Sequence, residues 1–378
     1  MNKFYHDHLK NQLAPADLIL LEILINILQS LKTVSLEKIA EVLPIPILFQ
    51  SRRKKLQRFL SNDKLNVISL WLPIIKNWIT AQFMAEETIY LVIDRTKWIA
   101  NNLMMVSIIY KQRTIPIYFE LLPQLGNSNL EQQKNVFNQV LPILKSYKIV
   151  VLGDREFCSV KLANWLSEQN VDFCLRLKKN EYILTNNESK TLNELGLKPG
   201  ISLFFENVKV TKSKNIQGFN VAAKWKKSYR QISVTEGWFI LTSLTDVKAA
   251  VAAYKKRFRI EEMFKDFKSS GYNLEATNVT GNRLISLILL IAFAYTQATI
   301  QGEKIKKKGV QKYICRTKEY GRLTNRHSSF HVGLYGENWA QFKHNCEELV
   351  EQLMRINSNK LEYYLRGMRA REIILSTL

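Results

Sequence analysis

The stretch 88-TIYLVIDRTKW-98 decides how the chain is read. Ile89-Tyr90-Leu91-Val92-Ile93 is a short apolar run rich in β-branched residues, the pattern of a strand buried on both faces, and Asp94 follows it directly. Working outward, residues 103–110 and 114–122 read as two more strands with a turn near Lys111-Gln112-Arg113. Residues 130–145 have helical spacing, 148–152 form another buried strand, 160–169 a helix and 172–177 a fifth strand. Three strands, a helix, a strand, a helix and a strand predict a mixed α/β unit.

The texture differs on both sides. Residues 14–84 read as helices, densely apolar over 14–31 and short over 35–42, where Leu43-Pro44-Ile45-Pro46 breaks the chain. A basic helix follows, with Arg52, Arg53, Lys54, Lys55 and Arg58 beside Leu56, Phe59 and Leu60. Two helices around a tight break, the second basic, suggest a helix-turn-helix-like DNA binder; a solvated basic helix on an ordinary bundle fits the same pattern. Residues 180–245 read as short strands with turns, an insertion into the α/β unit that carries Lys209, Lys212, Lys214, Lys224, Lys226, Lys227 and Arg230. One long helix is expected from the N-cap Asp246 to Ser269 or Ser270, stopped by Gly271. The rest is mostly helical. The expected organisation is a helical DNA-binding region (1–84), a first core segment (85–180), a β-rich insertion (181–245), a second core segment (246–300) and a helical C-terminal region (301–378).

Among 378 residues, 55 Lys and Arg against 33 Asp and Glu give a net charge of +22, which favours a polyanionic partner. A hydrophobic share of 46% excludes wholesale disorder. The cysteines, Cys158, Cys174, Cys315 and Cys346, form no C-x-x-C pair, so zinc ribbons and redox motifs are unsupported. The start MNKFYHDHLK has no apolar signal region, and with free thiols this implies a reducing cytoplasm. Residues 284–300, LISLILLIAFAYTQATI, are short for a membrane span and carry Ser286, Thr296, Gln297 and Thr299, so a buried helix is expected and no membrane partner. There is no Walker-type loop to imply ATP and no G-x-S-x-G. His327 and His331 lack an H-E-x-x-H context and read as a surface pair or DNA contacts.

Two aspartates occupy matching places: Asp94 after one buried strand, Asp154 after the next plus one glycine. Ligands gather at the carboxyl ends of strands in open α/β sheets, so neighbouring strands would bring both carboxylates to one edge. Asp also caps strand-to-loop transitions without any chemistry. On the long helix, Tyr254, Arg257, Glu261 and Lys268 fall within roughly 60° of arc at ~100° per residue, while Ile260, Met263, Phe264 and Phe267 make the core side. Glu262 lies about 100° off that stripe, so the geometry picks Glu261. A solvated face with i,i+4 pairing of Arg257 and Glu261 is the plain alternative. Three carboxylates in one cleft need cations, and an all-oxygen set suits Mg²⁺ or Mn²⁺. Two such ions about 4 Å apart serve phosphodiester chemistry.

With these residues in place, the chain resembles the bacterial insertion-sequence transposases with an RNase H-like DDE core, and within them the group with a Tyr-x2-Arg-x3-Glu-x6-Lys signature. Residues 254-YKKRFRIEEMFKDFK-268 fit that spacing at every defined position, and VIDRTKW around Asp94 and GDREFCS around Asp154 are similar to the segments holding the group's two aspartates. The phrase 237-GWFILTS-243 resembles the strand where relatives carry a base-stacking tryptophan. The resemblance spans residues 85–300 and implies an α/β, RNase H-like mixed sheet flanked by helices and interrupted by the insertion. It implies Asp94, Asp154 and Glu261 as catalytic metal ligands. Tyr254, Arg257 and Lys268 would sit on transposon-end phosphates, with Trp238 on a flipped base. Arg155 would orient Asp154 or contact DNA. It further implies two Mg²⁺ (or Mn²⁺) ions, inverted-repeat and target DNA as partners, a homodimeric synaptic complex and a bacterial, nucleoid-associated protein. A structure-specific nuclease on the same core, or an inactive DNA-binding relative, would share much of this pattern.

Overall fold

The computed structural model describes residues 3–185, 188–210, 216–229, 232–233, 235–317, 320, 326–342, 347–356, 359 and 361–377. Lys212, Lys214, Arg230 and Cys346 lie outside the described residues. The chain divides into two units: Ile75–Glu262 form the central one, and the segments up to Ile74 and from Met263 form the terminal one.

The terminal unit begins with α1 (Lys3–Gln12), α2 (Pro15–Leu31), α3 (Leu36–Val42) and α4 (Phe49–Leu60), and α5 (Leu72–Gln82) leads into the central one. The central unit opens with β1 (Thr88–Trp98), β2 (Asn101–Tyr110) and β3 (Arg113–Leu121), then α6 (Leu130–Val140), β4 (Lys148–Gly153), α7 (Val160–Glu168) and β5 (Asp172–Arg176). The insertion contributes β6 (Tyr182–Thr185), β7 (Glu188–Thr191), β8 (Ser202–Val210), β9 (Ile216–Lys224) and the small pair β10 (Ser228–Tyr229) and β11 (Ile232–Ser233). The chain returns through β12 (Trp238–Thr242), α8 (Val247–Lys255) and α9 (Phe258–Phe267).

One ten-stranded sheet orders these strands β3-β2-β1-β4-β5-β12-β9-β8-β6-β7. β1, β2 and β3 are antiparallel neighbours, whereas β4 runs parallel to β1 and β5 parallel to β4, which is the RNase H-like arrangement. The parallel centre is buried, with Leu91, Val92, Ile93, Val151 and Leu152 all inaccessible, which explains their unbroken apolar sequence. Apart from the small β10–β11 pair, which stands as its own two-stranded sheet, the insertion strands join the main sheet. β12 pairs antiparallel with β5 on one side and with β9 on the other, so the insertion strands extend the sheet beyond β5 and cover what would be its open edge. Ahead of α6, Asn129 and Gln132 form a reciprocal capping box that fixes where the β3–α6 loop ends.

The expected single helix after Asp246 is two helices. Asp246 does cap α8, accepting from Ala249 N at 2.7 Å, but the helix stops at Lys255 and α9 starts at Phe258. Across the break the backbone switches to i→i+3 bonds, Arg257 N to Tyr254 O and Ile260 N to Arg257 O, both 3.0 Å. No Gly or Pro lies between Val247 and Phe267. The break coincides with a double ion pair made by Arg257, so tertiary contacts override local propensity here.

The terminal unit is completed by α10 (Gly281–Lys307), α11 (Ser329–Phe342), α12 (Glu347–Ile356) and α13 (Leu361–Leu375). The apolar stretch 284–300 is the buried helix expected from its polar residues. Within it α10 packs against α2, α4 and α11, and every residue over 287–294 is buried. Gln29 of α2 donates to Ala294 O at 2.7 Å, and Trp71 meets Phe293 edge-on at 4.8 Å. α10 and α11 cross backbone to backbone: a Cβ on Gly302 would lie 1.7 Å from Ser329 O, and one on Gly333 1.8 Å from Ala298 O. Only glycine permits that approach.

Candidate functional site

The site grows from the register of β1 and β4. Their parallel pairing ends at Ile93 opposite Gly153, and the next residue on each strand is an aspartate. Asp94 continues inside β1, opposite Met105 of β2, rather than ending the strand. Asp154 turns into the β4–α7 loop, where its Oδ1 accepts from Glu156 N at 2.7 Å. Gly153 is needed under this turn, because a Cβ there would meet Leu175 Cδ2 at 2.9 Å and Phe157 Cβ at 3.0 Å.

The third acid arrives through a cation. Arg257, only 4% exposed, donates from Nη1 to Asp94 Oδ2 at 3.2 Å and from Nη2 to Glu261 Oε1. Glu262 faces elsewhere and pairs with Arg113 at 3.3 Å, so of the two neighbours it is Glu261 that Arg257 ties to Asp94. Burial pushes the Asp94 carboxyl up to about 7; Arg257 and the Arg95 amide pull it down, and the charges of Asp154 and Glu261 push it up again. Burial works against the charge on Arg257, but Tyr254, Asp94, Glu261 and Asp154 outweigh it and hold its pKa above the ordinary value.

A set of polar contacts fixes the surrounding loops. Arg95 grips Glu156 with two nitrogens, at 2.8 Å and 2.7 Å, and reaches Asn102 Oδ1 at 2.8 Å. Glu156 also accepts from Ser128 N at 3.0 Å. Burial raises the Glu156 carboxyl, yet Arg95 and Ser128 bring it below its usual value. Arg155 pairs with Glu236, which Arg176 also holds at 2.6 Å. The Arg95–Glu156 and Arg176–Glu236 pairs escaped sequence reading. Only the adjacency of Arg95 to Asp94, and of Glu156 to Asp154, hinted at the first.

Trp238 is half-buried at the start of β12. Its ring packs on Tyr254 (5.2 Å, 71°) and Phe258 (5.6 Å, 31°), and the Arg257 guanidinium lies 4.7 Å from the Phe258 centroid. Tyr254 is fully buried, and burial pushes its hydroxyl up to about 12. Lys268 belongs to the terminal unit, where it pairs with Glu275 at 2.9 Å. On the basic helix α4, Arg53 is tied to Glu37 at 2.5 Å and Arg52 donates to Leu43 O at 3.3 Å.

Among the described residues, no three His, Cys, Asp or Glu side chains stand as a ready-made cation cage. A cation is nevertheless present between two of the acids, namely the Arg257 guanidinium. The donors are carboxylate oxygens only. Burial, and then the charges of Asp154 and Glu261, make a proton or another cation welcome at Asp94, so the set fits a hard divalent ion such as Mg²⁺ or Mn²⁺.

The raised Asp94 pKa makes stability depend on pH. The folded state binds the Asp94 proton more tightly than the unfolded chain, so this contribution is full below about pH 4 and is lost as pH rises through about 7. Three pKa units correspond to about 4 kcal/mol at most. Asp94→Asn should therefore melt higher than the wild type at pH 8 in EDTA, and the gap should shrink at pH 5. Equal gaps at both pH values in thermal melts would contradict this.

An RNase H-like sheet with two aspartates just past the paired run of adjoining parallel strands, and a glutamate tied to one of them through Arg257, is the arrangement of the DDE nucleotidyl-transfer class. A family model described as the Transposase DDE domain matches residues 103–297, just over half of the chain, and the protein belongs to that family of DNA transposases. The match includes Asp154 and Glu261 and begins just beyond Asp94. No curated protein matches the chain. Among solved structures, a piggyBac transposase synaptic complex with hairpin DNA is 13% identical with a TM-score of 0.46, covering 95% of this chain and 75% of that one. Marinitoga piezophila Argonaute in complex with guide RNA and target DNA is 11% identical with a TM-score of 0.23, covering 59% of this chain and 33% of that one.

Proposed function

We propose that this transposase binds the terminal inverted repeats of a bacterial insertion sequence, cleaves at the element ends and joins the 3′-hydroxyls to target DNA, by cut-and-paste through a hairpin intermediate. The observation that carries this reading is the convergence where the β1–β4 pairing ends: Asp94 and Asp154 each follow the Ile93–Gly153 pair, and Arg257 links Asp94 to Glu261.

In this reading Asp94, Asp154 and Glu261 hold Mg²⁺ or Mn²⁺, two ions, which supply an activated water or 3′-hydroxyl and stabilise the leaving oxygen. The chain's own part is positioning. The Arg257 fork matches a phosphate bidentately. Lys268 contributes to the end-DNA contacts, as does Arg155, which Glu236 holds; Tyr254, fully buried, supports the Trp238 ring instead of meeting DNA. The basic insertion and the helical terminal unit grip the backbone, two copies synapse the element ends, and the protein acts on the nucleoid without ATP.

The test is a strand-transfer assay with duplexes carrying the element's terminal repeats and Mg²⁺. Nicked ends that become joined to target support the reading. Cleavage without joining would instead indicate a nuclease.

Trp238 provides a separate check. A core tryptophan truncated to Ala costs about 3–5 kcal/mol and harms every step alike. A half-exposed ring that stacks on a displaced base contributes about 1–3 kcal/mol to the steps after flipping, a tenfold to hundredfold effect. Trp238→Ala is expected to melt near the wild type, nick normally and stall before hairpin or joined products. Early melting with a proportional loss of nicking would show that the ring serves the core alone.

A further inference from the structure

We propose that Arg257 is an internal counter-cation: it clamps Asp94 and Glu261 together while the site lacks DNA, and its transfer to a DNA phosphate releases both carboxylates for the divalent ion. The inference rests on the metal-dependent reading above and adds an order of events to it, with DNA first and full metal loading second.

Several features of the geometry support this. The guanidinium contacts Asp94 Oδ2 and Glu261 Oε1 simultaneously, so it occupies oxygens that a shared cation would need. A guanidinium held on those oxygens repels an arriving divalent ion, and a carboxylate lone pair directed at Arg257 is not directed at a metal. Arg257 is itself incompletely satisfied, because among the described residues its buried Nε has no hydrogen-bond partner. A phosphate accepts from Nε and an Nη together, which the present clamp does not achieve. Finally, Arg257 lies in the two-residue break between α8 and α9, where backbone bonds are i→i+3, and Glu261 on the next turn is 52% exposed. The clamp therefore has one end open to solvent, where a DNA strand has access to it.

The clamp also explains why the acids need not be assembled in advance. Three carboxylates without a counter-charge repel one another, and Arg257 relieves this repulsion for Asp94 and Glu261 while lowering the site's affinity for stray divalent ions. Metal loading then becomes conditional on a polyanion that competes for the same guanidinium.

The experiment measures Mn²⁺ affinity of the full-length protein by electron paramagnetic resonance, with and without a terminal-repeat duplex. Asp154→Asn plus duplex corrects for ions bound by DNA. The wild type should bind Mn²⁺ at least tenfold more tightly with the duplex than without it. Arg257→Met should bind Mn²⁺ at least tenfold more tightly than the wild type without DNA, and the duplex should then add little. A wild-type affinity indifferent to the duplex would overturn the clamp, and that measurement needs no variant to fold. A folded Arg257→Met with wild-type affinity would overturn it as well. If Asp154→Asn leaves Mn²⁺ binding unchanged under every condition, the metal-site reading itself fails, a result distinct from failure of the clamp alone.

Discussion

Replacing Asp154 by Ala is expected to lower end cleavage at least ~10³-fold, about 4 kcal/mol of barrier, while changing affinity for the terminal-repeat duplex by less than about threefold. Asp94→Ala and Glu261→Ala should lower cleavage comparably, but each also frees Arg257 of one partner, so their duplex affinity should rise rather than stay level. The contrast follows from where these residues sit. Asp94 and Asp154 lie where the β1–β4 pairing ends, and Asp154 bonds its own loop at Glu156 N, so its loss removes no hydrogen bond between secondary-structure elements. Removing negative charge from a DNA-facing cleft weakens nothing that attracts phosphate. Gel assays of nicking and filter binding on the same preparations provide the check. A Glu261→Ala protein that nicks at the wild-type rate would remove Glu261 from the chemistry and leave its pairing with Arg257 as a structural contact.

The second large effect is that of salt. With a net charge of +22, the protein should displace many counterions on binding duplex DNA. Six to ten phosphate contacts correspond to a loss of about 10³–10⁵ in affinity between roughly 50 and 200 mM salt. Titrations across this range give the slope of log affinity against log salt. A slope near zero would mean that the lysines and arginines are engaged within the protein, as Arg53 is with Glu37 and Arg155 with Glu236.

What was legible in the sequence is what local chemistry governs. The runs at 89–93 and 149–152 are apolar because both sheet faces cover them. That Glu261 rather than Glu262 shares a stripe with Arg257 could also be read, because all three lie within two turns of one another. Long-range partners were not legible. Arg257 finds Asp94 across 163 positions, and that contact accompanies a helix break in a Tyr-Lys-Lys-Arg sequence with no breaker. Glu236 is met by Arg155 and Arg176, and neither spacing announces it. The sheet's continuation into the insertion depends on which edge β9 chooses, a property of tertiary assembly. The close crossing of α10 and α11 at Gly302 and Gly333 likewise has no signal in the local sequence.

The terminal unit is made from both ends of the chain, with the central unit inserted between them. During synthesis this imposes a schedule. The catalytic sheet has all its strands once β12 has emerged, but the apolar face of α2 must wait for α10: Gln29 meets Ala294 only 265 residues later. At elongation rates of about 5–20 residues per second, that wait is roughly 13–53 s. For that time α2 has its sequence neighbours α1 and α3 against it, and the face that α10 will cover stays bare. Ribosomes that abort early release chains with the sheet but without the completed helical unit. A mobile element built this way gains a quality control on its own expression, since only chains read to the far side of α11 can finish the unit that α2 began.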